Sequence, residues 1–247
     1  PYTRSIADTA GWQWRIPLRH RVGNGLVYAS RFIDDDAARR SLLEKVEGTL
    51  LTEPRVLRFK PGQRREAWRG NCIAIGLSSG FLEPLESTNI HLIQRSVIRL
   101  VQCFPQTIAE ADIAEFNRQA AAEITHIRDF VILHYHVTDR RDTPYWRACA
   151  QMDIPQTLRH RIELFRDTGR VFRDGNELFA ENSWIQVMLG QGILPQRYHP
   201  VAELMGDAEM STFLERIRAP IEATVQRLPA HAAYLREYCG GVPRAAE

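Results

Sequence analysis

The sequence predicts an α+β protein, with a β-rich part over residues 1–80 and a mostly helical part over residues 81–247. In the first part, short apolar stretches alternate with residues that favour turns. After Pro84, apolar residues recur at the spacing of an α-helix in almost every segment. Strands gathered in one part of a chain and helices in another are typical of the α+β class.

The first predicted strand contains the motif W-x-W. Trp12, Trp14 and Ile16 alternate with polar residues, which is the pattern of a half-buried strand. On these grounds alone, the two tryptophans are core residues. Gly23-Asn24-Gly25 favours a turn, so we expect a hairpin whose second strand covers residues 26–32.

A short helix should follow this hairpin over residues 34–46. Asp34 to Asp36 supply an N-cap and an acidic first turn, and Gly48 closes the helix. The rest of the β-rich part predicts a meander of three strands, at residues 56–60, 63–68 and 72–75.

The second part predicts a series of helices separated by loops. The helical segments are residues 90–104, 109–138, 155–168, 177–190, 208–228 and 229–239. The loops fall at residues 142–144, 192–200 and 240–241.

Composition excludes several classes of protein. Apolar residues make up 44% and charged residues 25% of the chain, as in ordinary globular proteins. The net charge of +2 argues against partners such as nucleic acid or an anionic membrane surface. The 4 cysteines contain no C-x-x-C motif, so we expect reduced, mostly buried thiols, no metal site and a cytoplasmic location. Because residue 1 is proline, we expect a piece of a longer protein.

The strand–loop–helix at residues 72–104 is the most informative segment. Its small residues let a ligand approach the backbone, and the N-terminus of the following helix favours an anion. Without further information, Glu86-Ser87-Thr88 is simply a helix cap. His134 and His136 are two residues apart on a predicted helix and should point in different directions, which argues against a metal pair. Residues 139–142 read as a solvated helix end.

Two motifs resemble those of the flavin-dependent tryptophan halogenases. They are W-x-W-x-I-P at residues 12–17 and GLSSGFLEPLEST at residues 76–88. The similarity continues through residues 128–130, 134–135, 141–146 and 190–192, so it covers nearly the whole chain. Members of the family are considerably longer, and this chain resembles only their C-terminal half.

The resemblance implies how the chain is organised. Residues 1–80 would complete a flavin-binding box like that of flavin monooxygenases, and residues 81–247 would form most of a helical, substrate-binding pyramid. The N-terminal half, with the glycine-rich FAD loop and an essential lysine, would be missing. Neither Lys45 nor Lys60 lies in a context like that of the lysine, so we expect the catalytic lysine to lie outside this chain.

The family chemistry uses reduced FAD, oxygen and chloride or bromide. It produces hypohalous acid, which halogenates an aromatic ring, usually an indole, and a separate flavin reductase supplies the reduced FAD. By motif, Glu86 matches the active-site glutamate and Ser87 the residue between the flavin and the substrate. Thr88 and Asn89 match the pair whose backbone N–H groups bind the halide, although glycine is common at the second position.

The remaining assignments concern the cofactor and the substrate. Trp12 and Trp14 would form a wall between them, and the neighbouring positions would lie beside the cofactor: Ile16, Pro17, Gly76 and Gly80. Phe179 and Trp184 are candidate substrate contacts. Because residues 177–184 lack the paired tyrosines of enzymes that use free tryptophan, tryptophan, indole and larger indole compounds all remain open as substrates.

Two other functions are compatible with the sequence. One is a flavin-dependent monooxygenase that hydroxylates an aromatic compound. The other is a non-catalytic helical binding module that kept the motifs without the chemistry. The two tryptophans of W-x-W and Glu86 favour halogenation.

Overall fold

The computed structural model describes residues 2–18 and 20–239 and confirms the α+β class. Three strands come first: β1 (Arg4–Asp8), β2 (Gly11–Pro17) and β3 (Val22–Tyr28). They form an antiparallel sheet in the order β1-β2-β3. The loop predicted at residues 240–241 lies outside the described part of the chain.

The hairpin between β2 and β3 turns earlier than predicted. The Leu18 N–H donates to the Arg21 carbonyl at 2.8 Å, whereas the predicted turn at residues 23–25 lies inside β3. Gly25 pairs with Trp14, and a Cβ on Gly25 would lie 2.2 Å from an indole carbon of that tryptophan. Glycine is therefore needed here because the indole packs across the strand, not because the chain turns.

Strand β2 is also buried differently from the prediction. Trp12 is 4% exposed, as expected for the inner face, but Gln13 on the opposite face is only 1% exposed. The half-buried pattern is therefore wrong at this end of the strand, where other parts of the chain cover both faces.

Helix α1 (Asp35–Glu44) confirms the predicted start, because Asp34 Oδ1 accepts a hydrogen bond from the Ala37 N–H at 2.7 Å. The predicted meander is largely wrong. It is reduced to two pairs of two-residue strands: β4 (Gly62–Gln63) with β7 (Gly80–Phe81), and β5 (Trp68–Arg69) with β6 (Cys72–Ile73).

Residues 56–60 form no strand, although their composition favours one. A strand needs a neighbour to bond its backbone groups, and within the described residues none pairs with this segment. Its apolar side chains are accordingly exposed, Leu57 by 68%.

Helices dominate the rest of the chain: α2 (Asn89–Gln102), α3 (Glu110–His136), α4 (Pro144–Gln151), α5 (Gln156–Thr168), α6 (Glu181–Gly190), α7 (Asp207–Arg227) and α8 (His231–Tyr238). The predicted helices are confirmed, although α6 begins later than expected. The sequence predicts no helix at α4, because Thr143-Pro144 is typical of a loop. In the structure the same two residues begin a helix. Thr143 Oγ1 accepts from the Trp146 N–H at 3.3 Å, and proline suits the first helical position.

The main hydrophobic core lies between α3, α5 and α6. Its buried members are Phe130, Leu133, Leu158, Ile162, Phe165, Val171, Trp184 and Met188. Burial of each large side chain contributes about 1.5–3 kcal/mol, so this cluster holds α3, α5 and α6 together.

Helix α2 packs on α3 through its polar face. Arg99 is 3% exposed, and its Nη2 lies 2.6 Å from Glu123 on α3. His91 and Arg95 reach the same carboxylate. The apolar residues of this segment point outward instead, and we call them the apolar stripe: Ile90, Ile93, Val97, Ile98, Val101 and Phe104.

Asp8 connects the three-stranded sheet to the helices. Its carbonyl accepts from the Trp146 indole N–H at 2.7 Å and from Arg140 at 3.3 Å. Its carboxylate accepts from Lys45 at 2.5 Å and from Ser41 at 2.9 Å. The segment 139–142 is therefore not only a solvated helix end, because Arg140 also fastens the loop between α3 and α4 to β1.

Two further findings concern membranes and thiols. Over the described residues, no helix has both the length and the apolarity needed to cross a bilayer. All four cysteines are free thiols, but only Cys149 is buried, so the expectation that they lie mostly in the core is wrong.

Candidate active site

The loop between β7 and α2 carries the central residues of the site. Pro84–Glu86 form a single 3-10 turn, and the Ser87 N–H donates to the Pro84 carbonyl at 2.9 Å. Ser87 has φ 53° and ψ 32° and is the only non-glycine residue with positive φ in the described chain. Such a conformation costs of order 1 kcal/mol, and here it separates Glu86 from the start of α2.

Glu86 is held by a histidine from a distant helix. His134 Nε2, on α3, lies 3.0 Å from Glu86 Oε1. The two side chains are 19% and 29% exposed, so the pair is partly open to solvent. The simple cap interpretation of Glu86 is therefore wrong, because its carboxylate bonds to α3 and not to the first turn of α2.

The N-terminus of α2 begins immediately after Ser87. Thr88 occupies the N-cap position and is 5% exposed, but its side chain forms no capping hydrogen bond. The first N–H groups of a helix have no acceptor within it, and the helix dipole adds a partial positive charge. This donor set at Thr88 and Asn89 fits a halide ion.

Trp12 reaches the same loop from the sheet. Its indole Nε1 donates to Glu83 Oε2 at 3.0 Å, and Glu83 precedes the 3-10 turn that contains Glu86. Burial, the largest effect, raises the pKa of Glu83, although the hydrogen bond from Trp12 lowers it. Glu83 Oε1 is buried and has no hydrogen-bond partner.

Tyr135 lies beside Glu83, and the two side chains interact. Burial first, and then the charge of Glu83, raise the pKa of the Tyr135 hydroxyl, so this phenol stays neutral. Trp12, Glu83 and Tyr135 thus form a largely dry polar cluster behind the Glu86–His134 pair.

The structure connects the other residues of the hairpin that were predicted beside the cofactor less directly to the loop that carries Glu86. Trp14 packs on Gly25 of β3, while Ile16 and Pro17 pair with Gly23 and Val22 at the far end of the hairpin. At about 3.3 Å of rise per residue, Ile16 lies roughly 13 Å along the strand from Trp12. The structure joins only Trp12 of this group to the loop that carries Glu86.

Gly76 and Gly80 are required by contacts within the chain. Gly76 has φ 67°, and a Cβ there would lie 2.9 Å from Ile93 on α2. A Cβ on Gly80 would lie 2.8 Å from the Gly62 carbonyl of β4. These contacts explain why both positions are glycine, whatever lies beside the loop.

An aromatic cluster supports His134 from behind. Phe130 contacts the edge of His134, with the ring centres 4.9 Å apart, and stacks on Phe179 at 3.8 Å. Trp184 contacts Phe130 at 4.8 Å but is 1% exposed and belongs to the core. Phe179 is therefore connected to the site, whereas the burial of Trp184 counts against a substrate contact.

Arg161 fixes the position of Trp184. Its guanidinium lies 4.2 Å from the centre of the indole ring and forms two hydrogen bonds with Glu177, at 2.8 and 2.6 Å. Burial alone would raise the pKa of Glu177, but Arg161 lowers it overall, so the carboxylate remains charged.

The predicted separation of the two histidines is confirmed. His134 faces Glu86, whereas His136 Nδ1 is buried elsewhere without a side-chain partner, and burial lowers the pKa of His136. Across the part of the chain that the structure describes, no group of three or more metal-ligating side chains is arranged around a common point.

The sequence did not identify His134, Glu83 or Asp8 as parts of the site or its support. In the sequence, the only signal for His134 is that it belongs to a segment shared with the halogenase family, and the only signal for Glu83 is that it lies close to Glu86. Asp8 ends a strand that also contains the polar residues Arg4 and Ser5, so no signal in the sequence singled it out.

Comparison with known proteins identifies the family. The model of the tryptophan halogenase family matches residues 1–207. The chain belongs to this family.

The individual relatives that match this chain include tryptophan halogenases. The chain is 35% identical to tryptophan 6-halogenase SttH of Streptomyces toxytricini, and the match covers 95% of this chain and 46% of that protein. It is 32% identical to tryptophan 7-halogenase RebH of Lentzea aerocolonigenes, over 97% of this chain and 49% of that protein. The chain thus spans about half the length of the relatives that it matches.

Solved structures agree with the sequence comparison. Xcc4156, a flavin-dependent halogenase from Xanthomonas campestris, superposes with a TM-score of 0.95 at 67% identity, covering 98% of this chain and 49% of that one. BrvH, a flavin-dependent halogenase from Brevundimonas sp. BAL3, gives a TM-score of 0.92 at 46% identity, covering 96% and 48%.

Proposed function

We propose that this chain is the C-terminal half of a flavin-dependent halogenase that acts on an indole-type aromatic compound. The observation that carries the proposal is the arrangement of Glu86 beside the N-terminus of α2. A partly exposed carboxylate and the N-terminus of a helix, which favours an anion, are separated only by Ser87, and this supports a site that brings a halide and an electron-rich ring together.

Each residue of the site has its own role in this proposal. Thr88 and Asn89 hold the halide through backbone N–H groups. Glu86 orients the halogenating species and stabilises positive charge that develops on the ring as the halogen adds. Ser87 lies between the flavin and the substrate, and Trp12, held by Glu83, forms the wall that keeps the substrate away from the cofactor.

The described residues fit only one side of a flavin. Leu77, in the loop before Glu86, exposes an apolar side chain that suits a flat ring, and Gly76 and Gly80 lie close to it along the chain. The sequence has no glycine-rich strand-to-helix turn to hold a pyrophosphate. When bound, reduced FAD would supply the electrons that activate oxygen for halide oxidation, and a separate reductase would regenerate it.

We further propose that the N-terminal half of the same protein covers the apolar stripe of α2. The relatives continue for about as many residues again, and an amphipathic helix that buries Arg99 while exposing Ile90 and Val101 by 70% and 71% needs a partner on its apolar face. That half would also provide the catalytic lysine. Lys45 is committed to Asp8, which supports this assignment.

In this arrangement, residues 1–80 would close the flavin-binding box and residues 81–247 would form the substrate-binding part. The substrate is tryptophan, indole or a larger indole compound, with Phe179 as the candidate contact. The four free cysteines agree with a reducing location such as the cytoplasm.

The direct test uses the full-length protein with a flavin reductase, FAD, NADH, oxygen and bromide or chloride. We expect a halogenated product from indole or tryptophan, detected by mass spectrometry. A hydroxylated product would instead support a monooxygenase, and binding of an aromatic ligand without turnover would support a binding module.

The isolated 247-residue chain should bind FAD weakly, because the pyrophosphate and adenosine have few partners in it. Titration followed by flavin fluorescence measures this. A dissociation constant in the micromolar range or tighter would show that the cofactor site is misplaced.

A further inference from the structure

The hydrogen bonds of His134 determine where its protons lie. Nδ1 is 2.8 Å from the Phe130 carbonyl oxygen, which can only accept, so Nδ1 carries a hydrogen. In a neutral imidazole the second nitrogen then has none. Nε2 is nevertheless 3.0 Å from Glu86 Oε1, a distance that two bare acceptors would not adopt.

A proton must therefore lie between Nε2 and Glu86. An imidazole ordinarily binds a proton more tightly than a carboxylate does. Both side chains are partly exposed, so water can stabilise the charged forms. These two facts favour an imidazolium paired with a carboxylate over a neutral imidazole paired with a carboxylic acid.

Few other groups compete for this proton. From the loop before α2, Glu83 lies close enough for the charge of His134 to lower its pKa, against the larger effect of burial. Tyr135, on α3 itself, is neutral because burial raises its pKa. On the remaining side, His134 meets the uncharged ring of Phe130, which Phe179 and Trp184 support.

We propose that His134 is a positioning residue that holds Glu86 in its reactive orientation and keeps one proton shared between the two side chains. This inference rests on the function proposed above. The charge beside the substrate ring then belongs to the pair and not to Glu86 alone. Without the shared proton, two acceptors would face each other and the carboxylate would be released.

The test uses the full-length protein with His134→Gln and His134→Phe. Glutamine can donate to Glu86 at every pH, whereas phenylalanine keeps an aromatic ring but has no donor. His160→Gln, an exposed histidine on α5, is the matched control. The quantity measured is halogenated product per flavin oxidised, from neutral to alkaline pH.

At neutral pH, His134→Gln should retain most of the halogenated product formed per flavin oxidised. His134→Phe should form about tenfold less product per flavin oxidised, which is the effect of losing one charged hydrogen bond. As the pH rises, the parent and His160→Gln should lose more of their neutral-pH ratio than His134→Gln does. Superimposable profiles for the parent and His134→Gln would overturn the proposal, whatever happens to the folding of His134→Phe.

A second measurement does not depend on turnover. In full-length protein with ¹⁵N-labelled histidine, NMR at neutral pH should show both nitrogens of His134 protonated in the parent and Nε2 unprotonated in Glu86→Gln. An unprotonated Nε2 in the parent would contradict the proposal. If the parent makes no halogenated product, the proposed function fails, while this measurement still decides whether the pair shares a proton.

Discussion

The indole of Trp12 and the carboxylate of Glu83 meet across 71 residues of chain, with Nε1 3.0 Å from Oε2. This hydrogen bond ties β2 of the sheet to the loop that carries Glu86. It fixes the orientation of a buried tryptophan and provides one of the few partners of a buried carboxylate. The relationship explains why the two motifs, far apart in sequence, lie at one place in the fold.

The first prediction concerns Glu83→Gln. Because burial raises the pKa of folded Glu83 above its usual 4.5, folding takes up a proton in the window between the two values. The stability that Glu83 contributes is therefore present below pH 4.5 and is lost as the pH rises through the raised value. Glutamine keeps an acceptor for Trp12 but does not titrate.

In denaturant unfolding of the full-length protein, Glu83→Gln should therefore gain stability relative to the parent as the pH rises from acidic to neutral. Glu163→Gln, which changes an exposed carboxylate on α5, should show no such trend. A constant difference between Glu83→Gln and the parent across this range would mean that Glu83 is not a buried acid.

The second prediction concerns Glu86→Gln, which keeps the size of the side chain and removes its charge. Halogenated product per flavin oxidised should fall by about a hundredfold, the usual loss when one charge-stabilising group is removed. Oxidation of reduced flavin by oxygen should continue at nearly the parent rate, because it does not involve this carboxylate. Product formation at the parent rate would show that Glu86 has only a structural role.

The third prediction concerns Gly25→Ala in β3. The added methyl group would lie 2.2 Å from the indole of Trp14, so either the ring or the strand must shift. Overpacking of this kind costs about 1–3 kcal/mol. Gly62→Ala is the control, since nothing lies within 4 Å of its Cβ. Equal unfolding midpoints for the two variants would show that Trp14 does not pack across Gly25.

The fourth prediction concerns Val101→Asp on the apolar stripe. If the N-terminal half covers this face, burial of an unpaired carboxylate should destabilise the full-length protein by several kcal/mol. The same change should reduce aggregation of the isolated chain, in which Val101 is 71% exposed.

Thermal unfolding and light scattering measure these two effects. Gln156→Asp, at an exposed position in the first turn of α5, should leave aggregation unchanged and should alter stability by no more than about 1 kcal/mol, in the stabilising direction. Full-length Val101→Asp that is as stable as its parent would show that the stripe stays in water, and the proposed docking of the N-terminal half on α2 would be wrong.

The sequence alone determined the fold class, the order of most helices and the family. Helices α3, α5 and α7 were predictable because long stretches of periodic apolar residues encode them locally. The Asp34 N-cap was predictable for the same reason, since its hydrogen bond reaches only as far as Ala37. Motif similarity also singled out Glu86 and Trp12.

Only the tertiary structure decided what these residues touch. Gly25 lies in a strand, where Trp14 packs on it, and residues 56–60 form no strand because no strand among the described residues pairs with them. His134 reaches Glu86, and Trp12 reaches Glu83, through contacts between residues 48 and 71 positions apart. Local propensity carries no information about such partners, because their positions depend on how the whole chain packs.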